Sequence, residues 1–437
     1  MDFYQSPVVV EDDDLLVEVL VRLPSPKLVF QCILVCKRWR SIITSSDFVR
    51  RFIISRHHHH HIKNNITAPH DRDHHHHIHD NFPFSKFICS HASYPGLPEI
   101  WTPKTQLQLN QNYYSSALFR RSVLDFSFIP LEKKEQSFYI LAVFNDLVLC
   151  AIRGNSNKSG LDQCYLCNPS TKKWVGLPPR YGCALRGAGL ICEPYYCYDG
   201  RGGARGEGEG GYNNIKVNEQ YRYRVVLINY SSRSISSPLL DMYSSETGKW
   251  STILHSEISG YTNPGGCCRS NTVVYKGKLY WFNAVDIVAF DPFHPEKSCC
   301  IKLPTDCGIY QDYRQRFCLG LCRGFLRMIK VRSTFQNTVS VTVWELKDDR
   351  SGGWSLECNN VELELFMEKA PVGFFTCHPT DPNLVYLVCR GSRIVFSYHL
   401  QTGELEEAYK LPGKWHEVIS FPFVLPLWPT PIAMLPP

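Results

Sequence analysis

Between residues 138 and 412 the chain repeats two kinds of strand–turn–strand unit, and nothing else in it limits the possible folds so strongly. The first kind sets two runs rich in β-branched and aromatic residues around a short turn. It occurs as "FYILAVFNDLVLCAI" (138–152) around Asn145-Asp146 and "TVVYKGKLYWFN" (272–283) around Lys276-Gly277-Lys278. It returns as "LGLCRGFLRMIKV" (319–331) around Arg323-Gly324 and "LVYLVCRGSRIVFSYHL" (384–400) around Arg390-Gly391-Ser392. Each reads as a β-hairpin. The second kind ends a strand in a polar turn and resumes it, with Trp or Leu-Pro just beyond: "LCNPSTKKWVGLP", "DMYSSETGKWSTI", "AFDPFHPEKSCCIKLP", "VWELKDDRSGGWSL" and "SYHLQTGELEEAYKLP". Helical periods are scarce here. Weak repetition of strand-rich units is the mark of a β-propeller, whose four-stranded blades bury their faces against their neighbours. On that reading Trp174, Trp250 and Trp354 belong to the core between blades; a pair of β-sandwiches is the alternative fold.

The N-terminal fifty residues follow another rule. Leu16, Val19, Leu20 and Leu23 recur at helical spacing after Asp12, Asp13 and Asp14, whose charge suits a helix N-terminus. Pro24 interrupts the pattern, Ser25 is placed to cap a second helix, and Pro26 suits its first position. One helix is expected from there through Leu28, Val29, Phe30, Cys32, Ile33, Leu34, Val35 and Cys36, turning basic at Lys37, Arg38 and Arg40 near its C-terminal half, with Trp39 and Ile42 continuing the apolar stripe. Its first turns are apolar almost all round, as in helices buried on every side. Two short helices cannot supply that burial alone. Either the segment docks on the rest of its own chain or a partner covers it.

The residues that pose this question also carry a resemblance. Leu15-Leu16, Val19-Leu20, Arg22-Leu23-Pro24, Leu28, "VCKRWRSII" (35–43) and Phe48 resemble the F-box motif over about residues 11–53. The sequence departs from the motif at Asp13-Asp14, where a Leu-Pro pair usually opens it, and at Gln31-Cys32, where an Arg-aromatic pair is common. The resemblance implies a helical unit that binds the Skp-type adaptor of a cullin-RING ubiquitin ligase. Carried over by position, the adaptor-binding residues and their immediate support are Leu15, Leu16, Val19, Leu20, Leu23, Pro24, Leu28, Val35, Cys36 and Trp39. Trp39 is the expected hot spot, since large aromatics dominate interface energetics. The strand repeats, over about residues 86–425, resemble the F-box-associated propeller region of plant F-box proteins; they lack the Gly-Gly strand ends of kelch repeats and the Trp-Asp endings of another propeller class.

Composition narrows the functional classes. A formal net charge of +6 over 437 residues demands neither nucleic acid nor an anionic membrane. The N-terminus lacks a basic-then-apolar leader and no apolar run is long enough to span a bilayer, so a soluble intracellular protein, nuclear or cytoplasmic, is expected. The 19 cysteines then read as reduced thiols. Cys164-x-x-Cys167 has no second pair at matching distance, and the adjacent pairs Cys267-Cys268 and Cys299-Cys300 are poor disulfide partners, so no metal and no cofactor is expected. No Gly-x-Ser-x-Gly elbow, phosphate-binding glycine loop or His-Glu-x-x-His helix occurs, and isolated His378 and His416 read as turn-capping or packing residues, so catalysis is not expected.

The expected chain is thus multidomain, α plus all-β: a small helical F-box followed by a β-propeller built of four-stranded blades. Residues 1–10 are a disordered tail and 11–55 the F-box. A His-rich flexible linker (56–85) contains the runs 57–61 and 74–77. The propeller (86–428) precedes a Pro-rich tail (429–437). The segment "DGRGGARGEGEGGYNN" (199–214) reads as a loop insertion between strands, its acids offsetting its Arg-Gly units, and the long stretches 182–220 and 305–316 are candidates for target-binding loops. The function implied is the substrate receptor of an SCF-type ubiquitin ligase, with Skp-type adaptor, cullin and an unidentified target protein as partners. A non-catalytic propeller scaffold or ligand-binding protein, its helices packed internally, is the alternative.

Overall fold

The computed structural model describes residues 13–24, 26–64, 86–91, 99–101, 126–130, 137–153, 162–180, 185–198, 215–229, 239–254, 272–282, 286–307, 315–333, 338–348, 352–364, 372–389, 394–410, 418–424 and 426–432. They divide between two compact units. One takes its described residues from Met1–Phe82, Pro194–Tyr221 and Leu425–Pro431, the other from Pro83–Glu193, Arg222–Val424 and Ile432–Pro437.

The larger unit is the propeller. It opens with β1 (Lys86–His91) and β2 (Glu99–Trp101), and its first blade is β3 (Ser137–Phe144), β4 (Leu147–Arg153), β5 (Asp162–Asn168) and β6 (Lys173–Gly176). The chain then forms β7 (Leu185–Cys192), leaves for β8 (Tyr196–Tyr198) and β9 (Ile215–Val217) in the other unit, and completes blade two with β10 (Tyr223–Asn229), β11 (Leu239–Ser244) and β12 (Lys249–Leu254). Blade three is β13 (Val273–Tyr275), β14 (Lys278–Phe282), β15 (Asp286–Phe290) and β16 (Cys299–Lys302). Blade four is β17 (Gln315–Cys322), β18 (Phe325–Ser333), β19 (Thr338–Asp348) and β20 (Gly353–Glu364); blade five is β21 (Val372–Cys377), β22 (Leu384–Cys389), β23 (Ile394–His399) and β24 (Leu405–Lys410). The last strand, β25 (Val418–Phe423), pairs antiparallel with β1, giving a three-stranded sheet β2-β1-β25.

The first strands of the five blades and β25 lie side by side in a closed circuit, β25 against β3, then β7, β13, β17, β21 and β25 again. Five four-stranded blades and one composite sheet therefore complete the ring. Every blade is sandwiched between two others, which explains why β10 and β15 are buried along their whole length instead of on alternate residues. The apolar contacts fall between neighbours: Val226 and Leu240 meet Leu279 and Trp281, Ile287 and Ala289 meet Met328 and Trp344, and Val341 and Val343 meet Val385 and Tyr398. Pro422 is tolerated in β25 because that strand is the edge of its sheet.

Three of the four hairpins read from the sequence join the first and second strands of a blade, with Asn145, Lys276-Gly277 and Arg323-Gly324 at positive φ in the turns. The fourth, 384–400, joins the second and third strands of blade five. All five units of the second kind join third and fourth strands. Of the three tryptophans, Trp250 and Trp354 join neighbouring blades as expected and Trp174 does not. Trp250 donates its indole N–H to the carbonyl of Pro178, beyond the end of blade one, at 2.8 Å, and Trp354 to that of Lys302 in blade three at 2.9 Å. Both tie an outer strand to the preceding blade. Trp174 lies exposed against Tyr165 of its own blade.

The stretch 182–220 is not a loop: it holds β7 and the β8–β9 hairpin. Residues 199–214 and His416 lie outside the described residues, as do 1–12, 65–85 and 433–437. Glu193 and Arg222, which flank the excursion, pair with each other through main chain and side chain. Cys164 and Cys167 are three apart on β5 and so point to opposite faces, which splits the Cys-x-x-Cys spacing between two sides of the sheet. His378 caps a turn as expected, its Nδ1 accepting from the main-chain N–H of Asp381 at 2.9 Å and of Thr380 at 3.3 Å.

Two outcomes test this packing. A Cβ added at Gly189 in β7 would stand 2.6 Å from the Leu279 side chain of the next blade, whereas one at Gly176 in β6 meets Tyr165 at 3.5 Å. Gly189→Ala is expected to cost about 1–3 kcal/mol in denaturant melts, and Gly176→Ala to stay within about 0.5 kcal/mol. Burial holds the His378 imidazole below its ordinary range. Below about pH 6.5 the unfolded chain therefore binds the proton before the folded one does, and stability falls with pH down to the folded pKa. His378→Asn keeps an acceptor for the turn; from about pH 7.5 to about 5.5 it should lose less stability than the parent, read as the change in midpoint.

Candidate functional site

The helical unit is built from α1 (Asp13–Val21), α2 (Pro26–Cys32), α3 (Lys37–Thr44) and α4 (Ser46–Asn64). Asp13 and Asp14 open α1, as their charge favours. The single second helix expected from the sequence is two. α2 ends in i→i+3 bonds from the N–H groups of Ile33, Leu34 and Val35, and Cys36 then turns extended and caps α3, its Sγ accepting from Trp39 N at 3.5 Å. Lys37, Arg38 and Arg40 consequently stand in the first half of α3, the end of a helix dipole that disfavours cations, and not near a C-terminus. Arg38 finds its counter-charge elsewhere: Nε and Nη2 both lie 2.7 Å from Asp13 Oδ1. Ser45 caps α4, its Oγ accepting from Phe48 N at 3.2 Å. That helix continues through residues 57–61 to Asn64, where a flexible linker was expected from residue 56.

The core of this unit draws on the whole chain. Leu16, Leu20, Val29, Ile43, Phe48, Phe52 and Ile53 pack with Tyr196 of β8, Ile215 of β9 and Trp428. Trp428 therefore belongs to the helical unit and not to the propeller whose end it was expected to mark. The sequence alone offered one hint, an aromatic between prolines in "PLWPTP".

With this core closed, the predicted adaptor-binding residues separate. Leu16 and Leu20, at 6% and 2% exposed, are core and present no surface. Their i,i+4 spacing places them on the inward face of α1, and Leu15 and Val19, both 55% exposed, on the outward one. Leu23 and Trp39 are half-buried against the core, so Trp39 lies at the edge of the exposed surface. Pro24, Leu28 (38%), Val35 (61%) and Cys36 face solvent. Leu34, absent from the predicted set, is 78% exposed. The Asp13–Arg38 pair ties the start of α1 to the start of α3. The outcome is a fully packed small unit that still shows five large aliphatic side chains to water.

Comparison with known families assigns both units. The F-box domain matches residues 12–51, and the β-propeller of F-box protein At3g26010-like matches residues 217–427. The chain is an F-box β-propeller protein. No curated protein matches it. Among solved structures, the SapL1 lectin in complex with α-methyl fucoside shares 10% identity over 76% of this chain and 98% of its own, with a TM-score of 0.35. The α-L-arabinofuranosidase Arb93A from Fusarium graminearum shares 11% over 62% and 79%, with a TM-score of 0.33. At such scores neither likeness bears on function. No helix among the described residues of the F-box protein is long and apolar enough to cross a membrane.

The division of the F-box residues predicts their energetics. Leu20→Ala is expected to destabilise the helical unit by about 2–5 kcal/mol, whereas Leu15→Ser combined with Val35→Ser should move it by no more than about 1 kcal/mol. Hydrogen exchange of the helix amides reads both.

Proposed function

We propose that this F-box protein is the substrate-recognition subunit of an SCF-type cullin-RING ubiquitin ligase, without catalytic activity of its own. Its helical unit binds a Skp-type adaptor and, through it, cullin; its propeller holds a target protein. The observation that carries the reading is the exposure of Leu15, Val19, Leu28, Leu34 and Val35 on a unit whose own core is already filled. Monomeric surfaces scatter single apolar residues freely, but a cluster of large ones marks an interaction site.

Magnitudes set what that face has to do. Full burial of a Leu or Val is worth about 1.5–3 kcal/mol, so five that are now between 38% and 78% exposed supply about 4–9 kcal/mol. Association costs about 4–15 kcal/mol. The aliphatic face alone is marginal, and the half-buried Trp39 together with Lys37 and Arg40 at the start of α3 is the source of the remainder. Those cations would also steer an acidic partner.

The test is co-purification of the full chain with a Skp-type adaptor and cullin, beside a Leu15→Asp, Val35→Asp variant. Capture of the parent and a loss of adaptor affinity of at least about tenfold in the variant is the expected result. No capture of the parent would return the protein to the scaffold reading.

A further inference from the structure

The match to the F-box family ends at residue 51, yet the helices do not close their core within that span. α2 is seven residues long, far below the length at which a helix holds itself together in water. Its only fully buried described side chain is Val29. Beside Val29 it is held by Phe30, whose ring lies 5.0 Å from the indole of Trp428; the same indole meets Phe52 at 5.4 Å and Phe48 at 6.0 Å, both on α4. Trp428 is thus the piece between α2 and α4. It is 5% exposed and not part of any surface. Its own segment is held by the Tyr221 hydroxyl, which donates to the carbonyl of Pro431, and Tyr221 in turn stacks edge-on with Tyr195 at 5.7 Å beside the β8–β9 hairpin. That hairpin reaches α4 directly, Arg50 Nε donating to the Ile215 carbonyl at 3.0 Å.

We infer that Trp428 is a positioning residue for the adaptor-binding face: acting through Phe30, it fixes the helix that carries Leu28 and leads into Leu34 and Val35. The functional F-box of this protein is then discontinuous, made of the N-terminal helices, the hairpin inserted in blade two and the segment after β25. The inference rests on the adaptor reading for its functional half and on packing alone for its structural half.

The experiment uses the full chain and compares Trp428→Ala, Trp428→Phe and Phe30→Ala by hydrogen exchange and by affinity for the Skp-type adaptor. Trp428→Ala should speed exchange in α2 and α4 by about tenfold or more and weaken adaptor binding to a similar extent, while the amides of β10 and β15 keep their protection. Trp428→Phe, which keeps an aromatic ring in the site, should restore most of both. Phe30→Ala reproduces the loss in α2 and serves in place of Trp428→Ala should the latter not be recovered folded. Unchanged exchange in both alanine variants overturns the inference. So does accelerated exchange with adaptor affinity intact. If the parent does not bind the adaptor, the ligase reading fails and the exchange measurement still decides the packing.

Discussion

A four-stranded blade has two apolar faces, and in this protein each is covered only by another blade. That single constraint organises the propeller. It buries the middle strands along their length, as in β10 and β15, polar Arg224, Asn229 and Asp286 included, and it forbids a first or last blade with a bare face. Pairing β1 with β25 meets the second demand by building one sheet from the two ends of the domain. The main-chain bond from Val424 N to the Asn145 carbonyl then joins the end of the last strand to the first blade. Glycine at 189 follows from the same cause, because the Leu279 side chain occupies the space a Cβ would need.

The helical unit meets a different difficulty with a similar device. Three short helices and one of 19 residues form too small a unit to enclose a core well in water, so the chain lends them residues from two distant points, around 196–217 and at 428. The helices can then leave Leu15, Val19, Leu28, Leu34 and Val35 outward without losing their own fold. The question of whether this apolar N-terminal segment is covered by its own chain divides by face: the inner residues are covered by the chain, and the outer ones stay exposed.

Much of this was legible from the residues and some was not. The five third-to-fourth-strand units and the turns at Asn145, Gly277 and Gly324 could be read directly, since turn chemistry and runs of strand-forming residues are local. The F-box motif was legible for the same reason. Leu16 and Leu20 were grouped with Leu15 and Val19 because a motif gives positions and not faces. The break between α2 and α3 was missed because an apolar run through Leu34 and Val35 has helical character wherever it lies, and only the extended conformation of Cys36 reveals the turn. Trp174 was grouped with Trp250 and Trp354 by a repeat whose members differ in what the preceding blade offers them.

The sequence by itself determined the class of each region: strands by runs of β-branched and aromatic residues, their turns by glycine and polar residues, helices by spacing, and the surplus of apolar side chains near the N-terminus by simple inventory. Tertiary structure alone decided which of those side chains face outward, that α2 leans on Trp428, and that the second blade is interrupted to serve another unit. The physical reason is separation along the chain. Hydrogen bonds within a turn link residues two to four apart and leave their mark in neighbouring letters, while the contact between Phe30 and Trp428 is set by volume and burial, which no local pattern records.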